Sequence, residues 1–496
     1  MDSGFKSDRK HRSFLDMYRS NRYFWIFAIS ALVGLNGCAV GPKYQRPSVP
    51  MAPAYKEDGP QTWKHAQPNA AVPRGKWWEI YNDPQLNALE EQVSISNQNV
   101  IQAMAQYREA RDQVRIARSS LFPSASISPS ITNSRQSGTI SNNVINFTSG
   151  TRTIYSMPVD VSYQADVWSS IRRSVTAARD NAQASAADLE NARLAYQAQL
   201  ADYYFELHGL DADADLLQRT VRSYEQYLQL TKDRMESGVA SGQDVAQAET
   251  QLETTRAQLI DVGVARAQYE HAIAVLIGKP PAQLSIPPVV LKMLPPETPT
   301  GLPSDLLQRR PDIAAAERQV ASANEQIGIA KAAFFPSVLL GASAGVQSTG
   351  PGDWFTWPSH FWSVGPQLVQ YVFEGGKRRG QLDLQRAAYD ATVAGYRQTV
   401  LTAFQQIEDQ LAALRILAQE AQIQDSAVKA AQQSLDIATA QYKAGTTDYL
   451  TVLTAQTTAL ANERTAVDLV TRRLSASVLL IEAIGGGWDA SRLPKQ

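Results

Sequence analysis

Between Arg172 and Gly238 the chain reads RRSVTAARDNAQASAADLENARLAYQAQLADYYFELHGLDADADLLQRTVRSYEQYLQLTKDRMESG. Apolar or small residues recur at alternating steps of three and four, through Val175, Ala178, Ala182, Ser185, Leu189 and Ala192 to Leu217, Val221, Tyr224 and Leu228. That is the rhythm of a coiled helix, with one stutter around Tyr196, Leu200 and Tyr203. No proline interrupts it. At about 1.5 Å per residue, the stretch predicts a helix of roughly 100 Å, longer than a single compact globule can house.

A helix with one narrow stripe needs others beside it, and the sequence supplies a second copy. From Arg378 to Gly445 the rhythm returns, most clearly at Val400, Phe404, Ile407, Leu411, Leu414, Ala418 and Ala421. Landmarks pair between the copies: Phe122-Pro123 with Phe335-Pro336, Arg172-Arg173 with Arg378-Arg379, Gly238 with Gly445, and Ile277-Gly278 with Ile484-Gly485. A repeat this long is a duplicated half-domain rather than a short-period solenoid.

Composition narrows the function. The net charge of −1 leaves no basic footprint for nucleic acid. Charged residues at 19% and hydrophobic residues at 44% are those of ordinary folded protein. A single cysteine, Cys38, excludes an intramolecular disulfide framework. The five histidines show no metal-ligand spacing. Asp211-Ala212-Asp213-Ala214-Asp215 has Leu216 where a calcium loop needs its sharp-turn glycine, and reads as a solvated helix face. Gly375-Gly376-Lys377 lacks the rest of a phosphate loop. No nucleophile stands beside a base, so the chain reads as no enzyme, with no cofactor and no metal.

The N-terminus is basic (Lys6, Arg9, Lys10, Arg12) and leads into a short apolar run, Phe24 to Leu35, too short to span a bilayer comfortably. It closes on Leu35-Asn36-Gly37-Cys38, which resembles a bacterial lipoprotein signal. That resemblance implies lipidation of Cys38 and cleavage before it, and Ala39, in place of an inner-membrane-retaining Asp, implies the outer membrane. A proline-rich tether follows, and Trp77-Trp78 should dock it against the body.

At Phe122-Pro123 the period changes to two. Ala125, Ile127 and Ile131 alternate with serines and Thr132; Tyr155, Met157, Val159, Val161 and Tyr163 alternate with Ser156, Asp160, Ser162 and Gln164. The second copy repeats this from Val338 to Val346 and from Trp362 to Val372, with a polar loop of about residues 133–150 in the first copy and Trp354, Phe355 and Trp357 crowding the turn of the second. Phe334 to Phe373 holds one charged side chain of the Asp, Glu, Lys or Arg kind, Asp353. Such depletion suits lipid-facing strands. Four strands cannot close a barrel, and an open edge in lipid strands its backbone groups, so the chain must oligomerise, three copies giving twelve strands and two giving eight. After each long helix a Gly-marked reversal precedes a returning helix, with Ser241 or Thr447 beside an acidic neighbour as candidate N-caps.

The lipoprotein signal, the duplicated strand-pair-plus-helix, Leu302-Pro303-Ser304-Asp305-Leu306-Leu307-Gln308-Arg309-Arg310-Pro311-Asp312-Ile313 and Gly485-Gly486-Gly487-Trp488 together resemble the TolC-type outer-membrane efflux ducts, in their NodT-like lipoprotein branch. The resemblance implies a mainly α fold with a β-barrel portion: a homotrimer with a twelve-stranded barrel in the outer membrane and a twelve-helix α-barrel in the periplasm. It implies a signal at 1–37, a tether at 38–76, a first efflux repeat at 77–278, a connector at 279–302, a second repeat at 303–485 and a tail at 486–496. It implies a passive exit duct for drugs or other small toxic solutes, working with a periplasmic adaptor protein and an inner-membrane pump, often of the resistance-nodulation-division type. Arg234, Gly238, Val239, Ala240 and Ser241, with Tyr442, Gly445 and Thr446, match the adaptor-contacting turns. Asp448, Tyr449, Leu450 and Thr454 match the periplasmic aperture, although many relatives carry an Asp where this chain has Thr454. A polypeptide-secretion duct shares the fold. A trimeric adhesive stalk is the other rival, but it would need large apolar residues where Ala and Ser fill the seam.

Overall fold

A computed structural model of the chain describes residues 39–49, 54–57, 75–135, 137, 151–290, 293–296 and 306–494. Cys38, the signal, most of the tether, the core of the first hairpin loop and Leu302 to Asp305 lie outside the described residues. Helices α1 (Pro84–Ser96) and α2 (Gln98–Ser119) precede strands β1 (Ser124–Ile127), β2 (Ser130–Arg135) and β3 (Thr151–Ala165). Then come α3 (Ser170–Glu236), α4 (Gly242–Leu276), the single turn α5 (Leu306–Arg309), α6 (Pro311–Ala332), β4 (Ser337–Ser348), β5 (His360–Val369), α7 (Lys377–Ala444) and α8 (Tyr449–Ala483). At 67 and 68 residues, α3 and α7 are each about 100 Å long. Their proline-free sequences and small seam residues allow the unbroken runs. None of the described helices is apolar enough to cross a membrane.

The chain divides into two compact units. The first holds Arg111–Asp180 and Val320–Thr392 together with residues up to Arg46. Its centre is an antiparallel sheet in which β3 pairs with β1, β2 and β4, and β4 with β5. The β1 and β2 registers against β3 are continuous, Ile127 facing Val159 and Ser130 facing Ser156. They form one lane, interrupted where Pro129 and Pro158 withhold backbone donors. The five strand segments therefore occupy four lanes.

The register sorts side chains by chemistry, because directly paired residues share a face. One row across the sheet is Ala125, Val161, Ala342 and Val364; the next in phase is Ile127, Val159, Ala344 and Trp362. The opposite face carries Ser126, Asp160, Ser343 and Ser363. The apolar face is bare: Ile127 is 65% exposed, Val364 72% and Trp362 78%. Both outer lanes, β1/β2 and β5, have a partner on one side only among the described residues. Gly345 lets β3 and β4 approach, since a Cβ there would lie 2.3 Å from the Met157 carbonyl oxygen. Next to the sheet, Arg173 reaches Glu325 on α6 at 2.6 Å, both largely buried, and Trp168 stacks on Phe335 at 4.6 Å.

The second unit holds Pro47–Ala110, Asn181–Gln319 and Val393–Gln496. Its main core joins α1, α3, α4 and α8 through Trp77, Leu86, Tyr204, Phe205, Ile273, Ile277 and Val478. Trp77 and Trp78 are docked there, almost wholly buried. Two glycines close the returning helices with positive φ, each seated against a backbone carbonyl: a Cβ at Gly278 would lie 2.2 Å from the Ser96 oxygen, and at Gly485 2.1 Å from the Arg309 oxygen.

The described part of the tether lies against α7: the backbone N–H groups of Lys56 and Glu57 donate to Glu408 at 2.7 and 2.9 Å, Arg397 donates to the Ser48 carbonyl, and Arg415 pairs with Glu57. The Asp211–Asp215 run is not the solvated helix face that the sequence suggests, substantial exposure among its acids being confined to Asp215, whose side chain is 45% exposed beside Arg219. Asp211 is buried, accepting from Arg266 at 2.6 Å and from the Val289 N–H at 3.0 Å, with His208 Nδ1 at 2.9 Å. Burial alone would raise its pKa, but the His208 and Arg266 hydrogen bonds outweigh that and hold it below the usual carboxylate range. Asp213 pairs with Arg464 on α8. Sequence spacing alone did not reveal these partners, which lie far along the chain.

Candidate functional site: the helix reversals

Each long helix ends in the same turn. After α3, Gly238 takes φ +75, its N–H bonds the Met235 carbonyl, and the Val239 N–H bonds the Arg234 carbonyl at 2.8 Å. After α7, Gly445 takes φ +78, its N–H bonds Tyr442, and the Thr446 N–H bonds Gln441 at 3.0 Å. Both are Schellman closures, and a left-handed residue there favours glycine. The next helix is capped in both copies by an acid and a hydroxyl three residues apart, in exchanged positions. Ser241 accepts from the Asp244 N–H while Asp244 accepts from the Ser241 N–H; Asp448 accepts from the N–H and the hydroxyl of Thr451. Asp448, not Thr447, is therefore the second cap. The Thr451 hydroxyl and backbone hydrogen bonds hold Asp448 below the usual carboxylate range.

Behind the turns, one apolar cluster locks the four helices. It contains Val221, Tyr224 and Leu228 of α3, Ala248 and Leu252 of α4, Ala438 and Tyr442 of α7, and Tyr449, Val452 and Ala455 of α8. Polar links run across it between α3 and α7. The Tyr227 and Thr439 hydroxyls meet at 2.9 Å, and Tyr442 donates to Thr231 at 3.4 Å. Arg234 lies 4.7 Å over the Tyr442 ring and donates to the Lys443 carbonyl at 3.2 Å. Tyr442 meets Tyr449 edge-on at 5.7 Å. Burial pushes the Tyr224 phenol up to about 12 and Tyr449 higher still, so both remain neutral.

The sequence-singled residues thus fall into two sets. Gly238, Val239, Ser241, Gly445, Thr446, Asp448, Leu450 and Thr454 are exposed, and Ala240 and Arg234 half-buried. Tyr442 and Tyr449 are buried within the chain's own helix cluster. Leu450 and Thr454 lie one helical turn apart, with Thr454 Oγ1 donating to the Leu450 carbonyl. Tyr227, Thr231 and Thr439 carry the cross-links and escaped sequence reasoning, since partners some two hundred residues apart have no local signature. No group of His, Cys, Asp and Glu that could hold a metal occurs among the described residues.

A family model for outer membrane efflux proteins matches residues 89–279 and 302–486. The chain is 33% identical over 463 residues to the toluene efflux pump outer membrane protein TtgC of Pseudomonas putida and, over the same length, to the antibiotic efflux pump outer membrane protein ArpC of that species. In both cases the match covers 93% of this chain and 95% of the relative. The crystal structure of the outer membrane protein VceC of Vibrio cholerae superposes with a TM-score of 0.78 at 29% identity, covering 84% of this chain and 99% of that one. Two matched segments, each carrying strands, a long helix and a capped return, make this chain a member of the outer membrane efflux protein family.

Proposed function

We propose that the chain is the exit duct of a tripartite efflux system: a homotrimer, anchored through acylated Cys38, that closes a twelve-stranded barrel in the outer membrane and an α-barrel in the periplasm. One observation carries the reading. The register gathers the apolar side chains of four lanes on one bare face, while both outer lanes keep an unpaired edge among the described residues. Lipid tolerates the first and forbids the second, so neighbouring copies must supply the missing ladders.

The reversals then face a periplasmic adaptor through Val239, Ala240, Ser241 and Thr446, and an inner-membrane pump of the resistance-nodulation-division type supplies the energy. Leu450 and Thr454, with Asp448 at the cap, ring the aperture; Tyr449 supports it from behind. A Thr at 454 leaves Asp448 as the acid of this set. The relatives named for toluene and antibiotic efflux support small toxic solutes as cargo. The mature chain, purified in detergent, is tested by light scattering for its oligomeric mass and by planar-bilayer recording. A trimer that conducts supports the proposal; a monomer, or an oligomer that admits no ions, overturns it.

A further inference from the structure

The four places where the sheet meets the helices share an order of residue types. Reading from the sheet outward, an aromatic comes first and a cation follows within the adjoining helical turn: Phe122 then Arg118 at the end of α2, and Trp168 then Arg172 at the start of α3. Phe334 and Lys331 repeat it at the end of α6, and Phe373 then Lys377 at the start of α7. Two of these aromatics are bare where a soluble protein would cover them, Phe122 at 70% and Phe373 at 89% exposed, while Trp168 is half-buried against Phe335. Arg172 is neutralised by Asp166 and Arg378 by Glu374. Arg118, Lys377 and Arg379 are exposed, and no acid pairs with them among the described residues. Lys377 and Arg379 also stand in the first turn of α7, which has no acid. A helix N-terminus disfavours cations, so their placement works against the helix itself. The β4–β5 turn at the sheet's other end carries Trp354, Phe355 and Trp357 with Asp353 as its one Asp, Glu, Lys or Arg.

We propose that this rim is a docking surface for the anionic headgroups of membrane phospholipids, the aromatics lying at the interface and Arg118, Lys377 and Arg379 meeting the phosphates just beyond it. Continuity with the apolar sheet face and charge complementarity both select a lipid occupant: aromatic belts mark the interface level, and cations next to it draw anionic lipid. The inference rests on the sheet facing lipid, and the experiment separates the two.

The full mature protein is reconstituted into phosphatidylcholine vesicles, with and without phosphatidylglycerol, and the motional restriction of spin-labelled forms of each lipid is compared. Wild type should retain phosphatidylglycerol in preference to phosphatidylcholine, each unpaired cation contributing about fivefold at low salt. The combined variant Arg118→Gln, Lys377→Gln, Arg379→Gln should lose that preference, while Lys377→Arg keeps it. If the combined variant does not assemble, raising the salt on wild type must flatten the preference alone. Equal retention of both lipids by wild type, an unchanged preference in the combined variant, or insensitivity to salt would overturn the proposal. Restriction of neither lipid would instead refute the lipid-facing sheet.

Discussion

Arg234→Ala tests whether the reversals act as a latch. In the structure Arg234 makes two contacts that bridge α3 and α7: its guanidinium over the Tyr442 ring at 4.7 Å and its hydrogen bond to the Lys443 carbonyl at 3.2 Å. A half-exposed cation–π contact contributes about 0.5–1 kcal/mol. A charged hydrogen bond contributes about 1.5–3 kcal/mol, and the length and partial exposure of this one bring it to about 1. Together they give about 1.5–2 kcal/mol per subunit, or roughly ten- to thirtyfold in the equilibrium between joined and parted turns. Hydrogen exchange of the amides from Lys443 to Thr446 reads that equilibrium directly, and single-channel open probability reads its consequence. Both should rise by about that factor in Arg234→Ala; Arg234→Lys, which keeps charge but loses the planar fork, should fall between. An assembled variant with wild-type exchange and wild-type open probability would refute the latch, because any parting of these turns must break both contacts.

Ser241→Ala removes one half of a reciprocal cap and should destabilise the start of α4 by about 1 kcal/mol, read as faster exchange of the Asp244 amide with the Asp448 cap unaffected. Glu482 gives a pH signature: burial is the main cause that lifts its carboxyl from 4.5 to about 7, partly offset by Arg310. The native state therefore holds a proton that the unfolded chain has lost between those values, and stability falls as pH rises through that window. Glu482→Gln should be near neutral at pH below 4.5 and should raise the unfolding temperature above pH 7, by up to about 3 kcal/mol in stability; an equal effect at both extremes would exclude the titration. Gly345→Val should block assembly, because its Cβ meets backbone at 2.3 Å, whereas Gly365→Val, with nothing within 4 Å, should yield normal amounts of heat-resistant oligomer on gels.

The elements that sequence reveals are those whose information is periodic. The three-four rhythm places α3 and α7 because a helix buries a stripe at that spacing wherever it lies, and the alternation in Tyr155–Tyr163 reveals a two-faced strand. Gly238 and Gly445 are legible for another reason: a left-handed exit excludes nearly every other residue. What escaped is pairwise and distant. Nothing near Asp211 announces Arg266, and nothing near Tyr227 announces Thr439, because a satisfied buried polar group is defined by its partner and not by its neighbours in sequence. The exchanged caps show the same limit more sharply. Copying a motif by position would put the second hydroxyl at the cap, yet the duplication preserved the hydrogen bond and reversed the residues that make it, Ser241 with Asp244 against Asp448 with Thr451. What the two halves share is the geometry of the reversal. What differs between them, Arg234 and Tyr442 above all, makes their junction asymmetric, and a latch between unlike halves can be weakened from one side without disturbing the turn on the other.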